Sequence, residues 1–465
     1  MRMPFVVGAL AAGLSVSLGA AEPVEKPAMA ATTHLVSILD TRDFGAENLH
    51  VGDLNGDGAP DLLFVQSVFG TREITCLTAT SLSGEVLWQH GTPAPDNGRI
   101  YSDLPAQIYD WDGDGRNEVL FVQQATYIEP YLAGGYARER AARYAGDAFM
   151  VVLDASTGKE KRRFAIPAPA DDCFLFADLT GRGRRQDLVV KDRYWNIWGV
   201  AAEGQTLWQY TGSVGHFPAY GDVDGDGRDE VFVGYALLDH DGKVLFEHDS
   251  GGAHQDAAYA VQAPDGSWRL LFGNGGIHCL QPDGKELWHH PLREAQHVVA
   301  GRFRPDLGPL QFMVIDRGQG LPAGGRAPAT LYLYDLDGRE VWRREQPVGS
   351  CFAACVALDW SGYGEARELL IYNRGGTGES QPPAPLQPAA IYDGWGTVVD
   401  SVSPAYPAGR PAADQTAQVY ALAANVWGDR RDEVLFFGPR GASVWANARP
   451  LAIPRLYNQT YYPGM

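Results

Sequence analysis

The chain has 465 residues, a formal net charge of −19 and 45% hydrophobic residues, which exclude a disordered, collagen-like or coiled-coil protein and leave ample material for a core. Its 55 glycines and 30 prolines, roughly a fifth of all residues, disfavour a fold dominated by long helices. The acidic charge repels phosphate backbones and anionic lipid, so nucleic acid is not an expected partner.

The N-terminus has the pattern of a secretory signal peptide. Arg2 supplies the positive charge, an apolar stretch runs from Phe5 to Leu18, and small residues ending at Ala21 form a cleavage site. We therefore predict a signal peptide over 1–21, a linker over 22–33, and a mature protein that is periplasmic or extracellular. No later stretch reaches the roughly 20 apolar residues that a membrane helix needs, so membrane insertion is not expected.

One unit recurs along the rest of the chain: an apolar run, an Asp-rich turn, two further runs and a closing segment with Trp or Phe. The Asp-rich turns begin at Asp53, Asp110, Asp178, Asp222, Asp359 and Asn425. Two further units, around Gln262 and Phe303, keep this frame without the acids. The closing segments begin at Gly84, Gly204, Gly242, Gly284 and Gly338.

Eight such units of roughly 50 residues each predict an all-β β-propeller with eight four-stranded blades over 34–447. Seven blades remain an alternative if one degenerate unit is irregular. The last unit lacks a fourth strand, and the apolar run His34–Asp40 precedes the first unit. We expect this N-terminal strand to complete the last blade and so to remove the open edge, with the tail 448–465 packing on the propeller.

Three of the acidic turns have the spacing of calcium-binding loops, because hard oxygen ligands recur at alternate positions with glycines between them. The expected ligands are Asp53, Asn55, Asp57 and Asp61; Asp110, Asp112, Asp114 and Glu118; and Asp222, Asp224, Asp226 and Glu230. We interpret calcium as a structural cofactor of the turn between a blade's first and second strands; the alternative is a catalytic metal. Turns with Arg182, Tyr363 or Arg430 among the acids are expected to hold no ion.

Three successive units each place a histidine just before their predicted first strand: His216, His254 and His297. Propeller geometry then predicts that the three imidazoles converge near the mouth of the central channel, on the face opposite the acidic turns. Such histidines suit proton transfer near neutral pH. Two alternatives remain open, namely core histidines with ordinary packing roles and ligands of a transition metal.

The loops between second and third strands are predicted to reach the same face. They supply cations, phenols and amides: Lys191, Arg193, Tyr194, Tyr235, Asn274, Asp316, Arg317, Asn373 and Arg374. Three long loops, Ala125–Ala148, Gly318–Ala329 and Gly375–Ala389, are expected to wall a cleft, and the first is rich in Tyr and Arg. Aromatic walls with arginine suit an anionic polysaccharide, although the tyrosines alone would also fit simple packing.

The five cysteines are Cys76, Cys173, Cys279, Cys351 and Cys355. An odd number means that at least one thiol is unpaired or pairs between chains, and we interpret most as buried small hydrophobes. A bridge between Cys351 and Cys355 rests on spacing alone. We expect a monomer.

The segments KDRYWNIW, GHFPAYGDVDGDGRDEVFVGYALLDHDGK and PRLYNQTYYPGM resemble the exported calcium-bearing propeller polysaccharide lyases, the ulvan and rhamnogalacturonan lyases with FG-GAP-type repeats. The resemblance runs from about Asp178 to the C-terminus. It implies β-elimination on uronate-containing chains, with His or Tyr as base and acid and a cation at the carboxylate. The rhamnogalacturonan members usually carry extra domains, which we do not expect in this chain.

By that resemblance, His216 and His254 would transfer protons, and Tyr194 or Tyr235 would perform the complementary step. The carboxylate would fall to Arg193 or Arg317. The remaining substrate-binding candidates are Lys191, His297, Asn274 and Arg374.

Two other functions fit parts of the sequence. A non-catalytic carbohydrate- or protein-binding propeller uses the same calcium turns. The segment LDASTGKEKRRF, which begins at Leu153, is similar to the blade-docking motif of quinone-dependent dehydrogenases, but the adjacent cysteine pair of those enzymes is missing.

Overall fold

The computed structural model describes residues 32–68, 72–97, 104–124, 147–171, 173–192, 194–251, 253–317, 327–347, 353–362, 364, 366–374, 388–409 and 419–451. These residues form 32 β-strands in eight antiparallel four-stranded sheets, and their only helical element is a short 3-10 turn at Pro305–Leu307. Strands that follow one another in the chain pair in seven of the sheets, and in the eighth the first described strand joins the last, which is the arrangement of a closed ring of propeller blades. The prediction of an eight-bladed all-β propeller is confirmed. Within the described part of the chain, no helix has the length and apolar character needed to cross a membrane.

Each blade takes its strands in chain order from the inside outward. Blade 1 holds β2 (Leu49–Gly52), β3 (Asp61–Ser67), β4 (Ile74–Thr80) and β5 (Val86–Gly91). Blade 2 holds β6 (Ala106–Tyr109), β7 (Glu118–Gln124), β8 (Ala148–Asp154) and β9 (Glu160–Ile166). Blade 3 holds β10 (Phe174–Ala177), β11 (Asp187–Lys191), β12 (Asn196–Val200) and β13 (Thr206–Thr211). Blade 4 holds β14 (Ala219–Gly221), β15 (Glu230–Phe232), β16 (Ala236–Leu238) and β17 (Val244–Glu247).

The second half of the ring follows the same plan. Blade 5 holds β18 (Ala257–Gln262), β19 (Trp268–Gly273), β20 (Gly276–Leu280) and β21 (Glu286–Pro291). Blade 6 holds β22 (Ala295–Gly301), β23 (Gln311–Asp316), β24 (Thr330–Asp335) and β25 (Glu340–Glu345). Blade 7 holds β26 (Ala353–Leu358), β27 (Glu368–Asn373), β28 (Ala389–Tyr392) and β29 (Val398–Val402). Blade 8 holds β30 (Tyr420–Ala424), β31 (Glu433–Gly438), β32 (Gly441–Asn447) and, as its outer strand, β1 (Thr33–Leu39).

The N-terminal strand closes the ring as the sequence predicts. β1 pairs antiparallel with β32, with His34 opposite Ala446 and Leu39 opposite Ala442. The pairing covers the edge of β32 with backbone hydrogen bonds, so blade 8 has four strands, like the other blades. The seven-blade alternative is therefore wrong.

The core lies between neighbouring blades. Second strands are mostly buried, and Asp61–Ser67 and Gln311–Asp316 are buried along their whole length, because both faces of each sheet are covered by other blades. Leu120 and Val152 of blade 2, for example, pack in one cluster with Leu188 of blade 3. Each fully buried aliphatic side chain stabilises the fold by about 1.5–3 kcal/mol.

The tryptophans of the closing segments join one blade to the next. The indole of Trp88 in β5 covers Gly158 in blade 2, where a Cβ would lie 2.5 Å from the ring, and its Nε1 donates to Ala155 O at 2.6 Å. Gly158 has a φ of +66°, which favours glycine. The same contact recurs between Trp208 and Gly242. The segment that begins at Leu153, and that is similar to the blade-docking motif of quinone-dependent dehydrogenases, forms the turn on which Trp88 packs.

The four described cysteines, Cys76, Cys173, Cys279 and Cys355, are buried. Cys351 lies outside the described residues, as do the predicted signal peptide, almost all of the predicted linker and most of the three long loops.

Candidate active site

Three aromatic side chains meet at one end of blades 3, 4 and 5. The ring of Tyr194 lies 5.1 Å from that of His216 and 4.5 Å from that of His254, and the two imidazoles are 5.3 Å apart. The Tyr194 hydroxyl is 3.5 Å from His216 Nε2, within hydrogen-bonding reach. The predicted convergence of His216 and His254 is thus observed, and Tyr194 joins them.

A polar turn fixes the position of Tyr194 between β11 and β12. The Asp192 carboxylate accepts hydrogen bonds from the backbone amides of Tyr194, Trp195 and Asn196 at 3.0, 2.7 and 2.9 Å. This is the local side-chain capping by which aspartate stabilises turns. The turn leaves Tyr194 only 1% exposed, directed into the protein at the histidines rather than to bulk solvent.

Gln255 holds the two histidine loops together. Its side chain is fully buried, and its Nε2 donates to Val214 O and Phe217 O, both at 3.2 Å. In return, the amide of His216 donates to Gln255 O at 3.1 Å. His216 and His254 therefore hold a fixed relative position.

Asp256 is a member of the cluster that the sequence reasoning missed. Its Oδ1 lies 3.4 Å from His254 Nε2 and 3.9 Å from His216 Nε2, and the residue is 7% exposed. A buried carboxylate beside two imidazoles can accept hydrogen bonds from their ring nitrogens and thereby orient them. Its position two residues after His254, at the start of a strand, is the sequence feature from which Asp256 could have been predicted.

His297 differs from its two counterparts. It lies within β22 rather than before it, at a register shift between Ala295 and His297, so the expectation that it precedes the first strand is wrong. Burial first, then the charges of Arg374 and Arg317, lower the pKa of its imidazole to about 3. His297 is therefore neutral at ordinary pH and is suited to accepting a hydrogen bond, not to donating a proton as an acid.

The predicted cations lie at different depths. Lys191 is fully buried, and its Nζ donates to the carbonyl of Asp171 at 2.9 Å. Arg317 Nη1 donates to Gln296 Oε1 at 2.6 Å, and its side chain is 15% exposed. The guanidinium of Arg374 lies 5.9 Å from the ring of Tyr420. Arg193 lies outside the described residues.

Two further predicted residues adjoin the cluster. Asn274 Nδ2 donates to the carbonyl of His254 and so supports that loop. Tyr235 packs on Phe272 with ring centroids 4.8 Å apart. Burial, and then the charge of Asp256, raise the pKa of the Tyr235 hydroxyl.

A cavity of about 330 Å³ lies along the first strands, at the centre of the ring. Phe217 and Cys173 line it, and Cys173 Sγ donates to the carbonyl of His216 at 3.7 Å. His50 also lines the cavity, and burial lowers the pKa of its imidazole to about 4. The backbone of His216 therefore lies next to this cavity. That the cluster opens onto the channel mouth stays a prediction.

The acidic turns lie at the other end of the first strands from the histidines. In blade 4, His216 precedes β14 and Asp222 follows it. Oxygens of Asp222, Asp224 and Glu230 lie within 4.8 Å of one another, and Glu230 is fully buried with no hydrogen-bond partner for its Oε1. Burial, with Asp224 and Asp239 nearby, raises the pKa of Glu230 to about 7. This oxygen set fits a hard divalent cation such as calcium.

The acidic turn of blade 2 differs from that of blade 4, whereas the turn of blade 1 has the same backbone hydrogen bonds as blade 4. In blade 2, Lys161 Nζ lies 2.8 Å from Asp112 Oδ2 and 2.6 Å from Glu118 Oε1, so an ammonium group already stands among the acids. In blade 1, the Asp53 carboxylate accepts hydrogen bonds from the amides of Gly56 and Gly58 at 2.7 and 3.0 Å, as Asp222 does from Gly225 and Gly227 in blade 4 at 2.7 and 3.1 Å. The acids thus shape these turns through their own hydrogen bonds.

No model of a known protein family matches the chain. Two curated relatives from Bacillus subtilis (strain 168) do. Rhamnogalacturonan endolyase YesW is 24% identical over 281 residues, covering 51% of this chain and 44% of the relative. Rhamnogalacturonan exolyase YesX is 23% identical over 260 residues, covering 46% of this chain and 42% of the relative. The chain thus matches less than half the length of each curated relative.

Solved structures show the same fold. The crystal structure of exotype rhamnogalacturonan lyase YesX matches with a TM-score of 0.58 at 19% identity, over 87% of this chain and 72% of that one. The Vibrio cholerae biofilm matrix protein Bap1 matches with a TM-score of 0.59 at 14% identity, over 90% and 91% of the two chains. The chain therefore has rhamnogalacturonan lyases with propeller folds among its homologues. That part of the predicted resemblance is confirmed; the likeness to ulvan lyases stays a prediction.

Proposed function

We propose that this protein is an exported polysaccharide lyase that cleaves a uronate-containing polysaccharide of the rhamnogalacturonan type by β-elimination. The observation that carries the proposal is the contact of Tyr194, His216 and His254 beside the buried Asp256. The names of the two curated relatives support a lyase. Because the chain matches less than half of each relative's length, the substrate is a matter for experiment.

The reaction needs a base, an acid and positive charge. The base removes the proton on the carbon next to the uronate carboxylate, and the released electron pair forms a carbon–carbon double bond as the bond to the glycosidic oxygen breaks. The acid then donates a proton to the leaving oxygen. Positive charge at the carboxylate stabilises the anionic transition state.

The described residues can supply each part. His216 or His254 acts as the base, with Asp256 stabilising the imidazolium that forms. The Tyr194 hydroxyl, 3.5 Å from His216 Nε2, exchanges a proton with that ring and serves as the acid. Arg317 provides positive charge from the side of blade 6. Arg374 adds a second positive charge, which acts electrostatically on the imidazole of His297.

Calcium belongs to this proposal as a structural ion. Asp222, Asp224 and Glu230 would hold it in blade 4, where it would neutralise the clustered carboxylates and fix the turn between β14 and β15. Because the acidic turns and the histidines lie at opposite ends of the first strands, the ion takes no part in proton transfer.

A substrate panel tests the proposal. Purified protein is incubated with rhamnogalacturonan, ulvan and glucuronan, and the ultraviolet absorbance of the unsaturated uronate product is followed. We expect absorbance to rise with rhamnogalacturonan, and His254→Ala to abolish the rise. Binding of the polysaccharide without any absorbance change would instead identify a non-catalytic binding propeller.

A metal centre is the second candidate for the same cluster. Ligand atoms of His216, His254 and Asp256 lie within 4.8 Å of one another, which is a set that a transition metal can use. From the sequence, His297 was the alternative third ligand of such a site, whereas the ligand-atom distances favour Asp256 in that role. Loss of activity with a zinc-selective chelator in the presence of excess calcium would support this alternative over the acid–base pair.

A further inference from the structure

A second group of histidines lies on the outer hairpin of blade 5. His278 in β20 is paired across the ladder with His289 in β21, so both imidazoles stand on the same side of the sheet. Glu286 lies further along β21, opposite Leu280 and on that same side. One nitrogen of each imidazole and one oxygen of Glu286 all lie within 4.8 Å of one another.

Packing holds His278 in place while its two neighbours can adjust. Phe272 stacks on His278 with ring centroids 4.6 Å apart, and His289 stacks beside it at 4.1 Å. His289 and Glu286 are exposed, so their side chains can turn without displacing the core. Gly276 leaves room for His289, because a Cβ there would lie 2.7 Å from His289 Nε2.

The donor set is that of a borderline-soft ion. Two ligand atoms bound to one tetrahedral zinc lie about 3.3 Å apart, and His278 Nδ1 is already 2.8 Å from Glu286 Oε2. Calcium prefers oxygen ligands only, whereas two imidazoles and one carboxylate suit zinc and its neighbours.

We propose that His278, His289 and Glu286 bind a divalent transition metal of the zinc class, with the remaining coordination position open to water. The ion would link β20 to β21 and thereby stabilise the outer hairpin of blade 5. This site shares no residue with the Tyr194, His216 and His254 cluster or with the acidic turns, and it does not depend on the proposed lyase activity.

Calorimetric titration with zinc chloride tests the proposal on the full chain in calcium-containing buffer. We expect His289→Ala to remove one equivalent of bound zinc, and Glu286→Gln to weaken the same equivalent by at least about tenfold. His254→Ala should retain it, because His254 belongs to the other cluster. The matched control is His290→Gln, which alters the adjacent residue whose Nε2 contacts Gly338 O of blade 6 at 2.7 Å.

Each variant's melting temperature is recorded without zinc, so that loss of binding is separated from loss of folding. If His289→Ala does not fold, Glu286→Gln and cobalt(II) absorption of the unaltered protein provide the same test. Equal zinc binding by the unaltered protein, His289→Ala and Glu286→Gln would overturn the proposal. Loss of the equivalent in His254→Ala alone would overturn it as well.

Discussion

The ammonium nitrogen of Lys161 lies 2.6 Å from Oε1 of Glu118, inside the acidic turn of blade 2. Lys161 is in β9, the outer strand of that blade, and it crosses to the turn that joins β6 to β7. These hydrogen bonds to Asp112 and Glu118 raise the pKa of the ammonium group, which keeps it charged. One turn of the propeller thus contains its own cation.

Removing that cation should create a vacancy for a metal ion. We expect Lys161→Met to bind one more equivalent of calcium than the unaltered protein, because Asp112 and Glu118 would no longer face an ammonium group, while Arg184 stays 3.3 Å from Asp110. Calcium titration measures the difference. Arg163→Met is the matched control, because Arg163 is in the same strand and pairs with Glu160 away from the turn. An unchanged calcium stoichiometry in Lys161→Met would refute the inference that Lys161 takes the place of a calcium ion in this turn.

Calcium removal should destabilise the fold chiefly through blade 4. The buried Glu230 Oε1 has no hydrogen-bond partner, so its charge depends on an ion for compensation. We expect EGTA to lower the melting temperature of the unaltered protein, and to lower that of Glu230→Gln by a smaller amount. The measurement is thermal unfolding with and without chelator. Loss of activity on chelation while the fold stays intact would contradict a purely structural ion.

Substitution of either clustered histidine should reduce activity without reducing stability. A positioned acid or base contributes about 10²- to 10⁴-fold in rate, so we expect losses of that size for His216→Ala and His254→Ala. Rates on rhamnogalacturonan and melting temperatures provide the two readouts. His248→Ala is the control, because His248 contacts Gly284 O between blades 4 and 5 at 2.9 Å. Equal activity of His254→Ala and His248→Ala would exclude a catalytic role for His254.

The stability of the fold should fall on acidification because of His297. Its pKa is about 3 in the folded protein and near 6.5 in the unfolded chain, so below pH 6.5 the unfolded state binds more protons. Between pH 6.5 and 5 the loss is on the order of 1–2 kcal/mol. We expect His297→Gln to flatten the dependence of the free energy of unfolding on pH over this window, measured by urea titration. A slope equal to that of the unaltered protein would count against a buried neutral His297.

Features that repeat along the chain could be predicted, because corresponding residues of successive units occupy the same position in their blades. The acidic turns and closing tryptophans located the strands, and the shared offset of His216 and His254 located the cluster. The closing role of His34–Asp40 followed from a missing fourth strand. Counting units was sufficient for these features because a propeller converts sequence spacing directly into angle around one axis.

Features that depend on side-chain reach were not predictable. Lys161 lies 49 residues from Asp112 in the sequence, and only the paired strands of blade 2 bring them together. Lys191 follows an apolar run like the other loop cations, yet its side chain is directed inward to Asp171. Asp256 resembles any polar residue at the start of a strand. In each case the sequence identifies the strand but not the direction of the side chain.

The pairing of β1 with β32 also determines when the ring can form. During synthesis β1, the first strand that the structure describes, remains without its partner until β32, the last described strand, has been made. Every other blade pairs strands that are near one another in the sequence, so seven blades can form locally and early, while the eighth spans more than 400 residues. Contacts between such distant segments form slowly. The rate-limiting event in folding is therefore expected at the seam between the two ends, and a chain that stops before β32 would leave an open arc with an unpaired edge at each end, prone to associate with other copies.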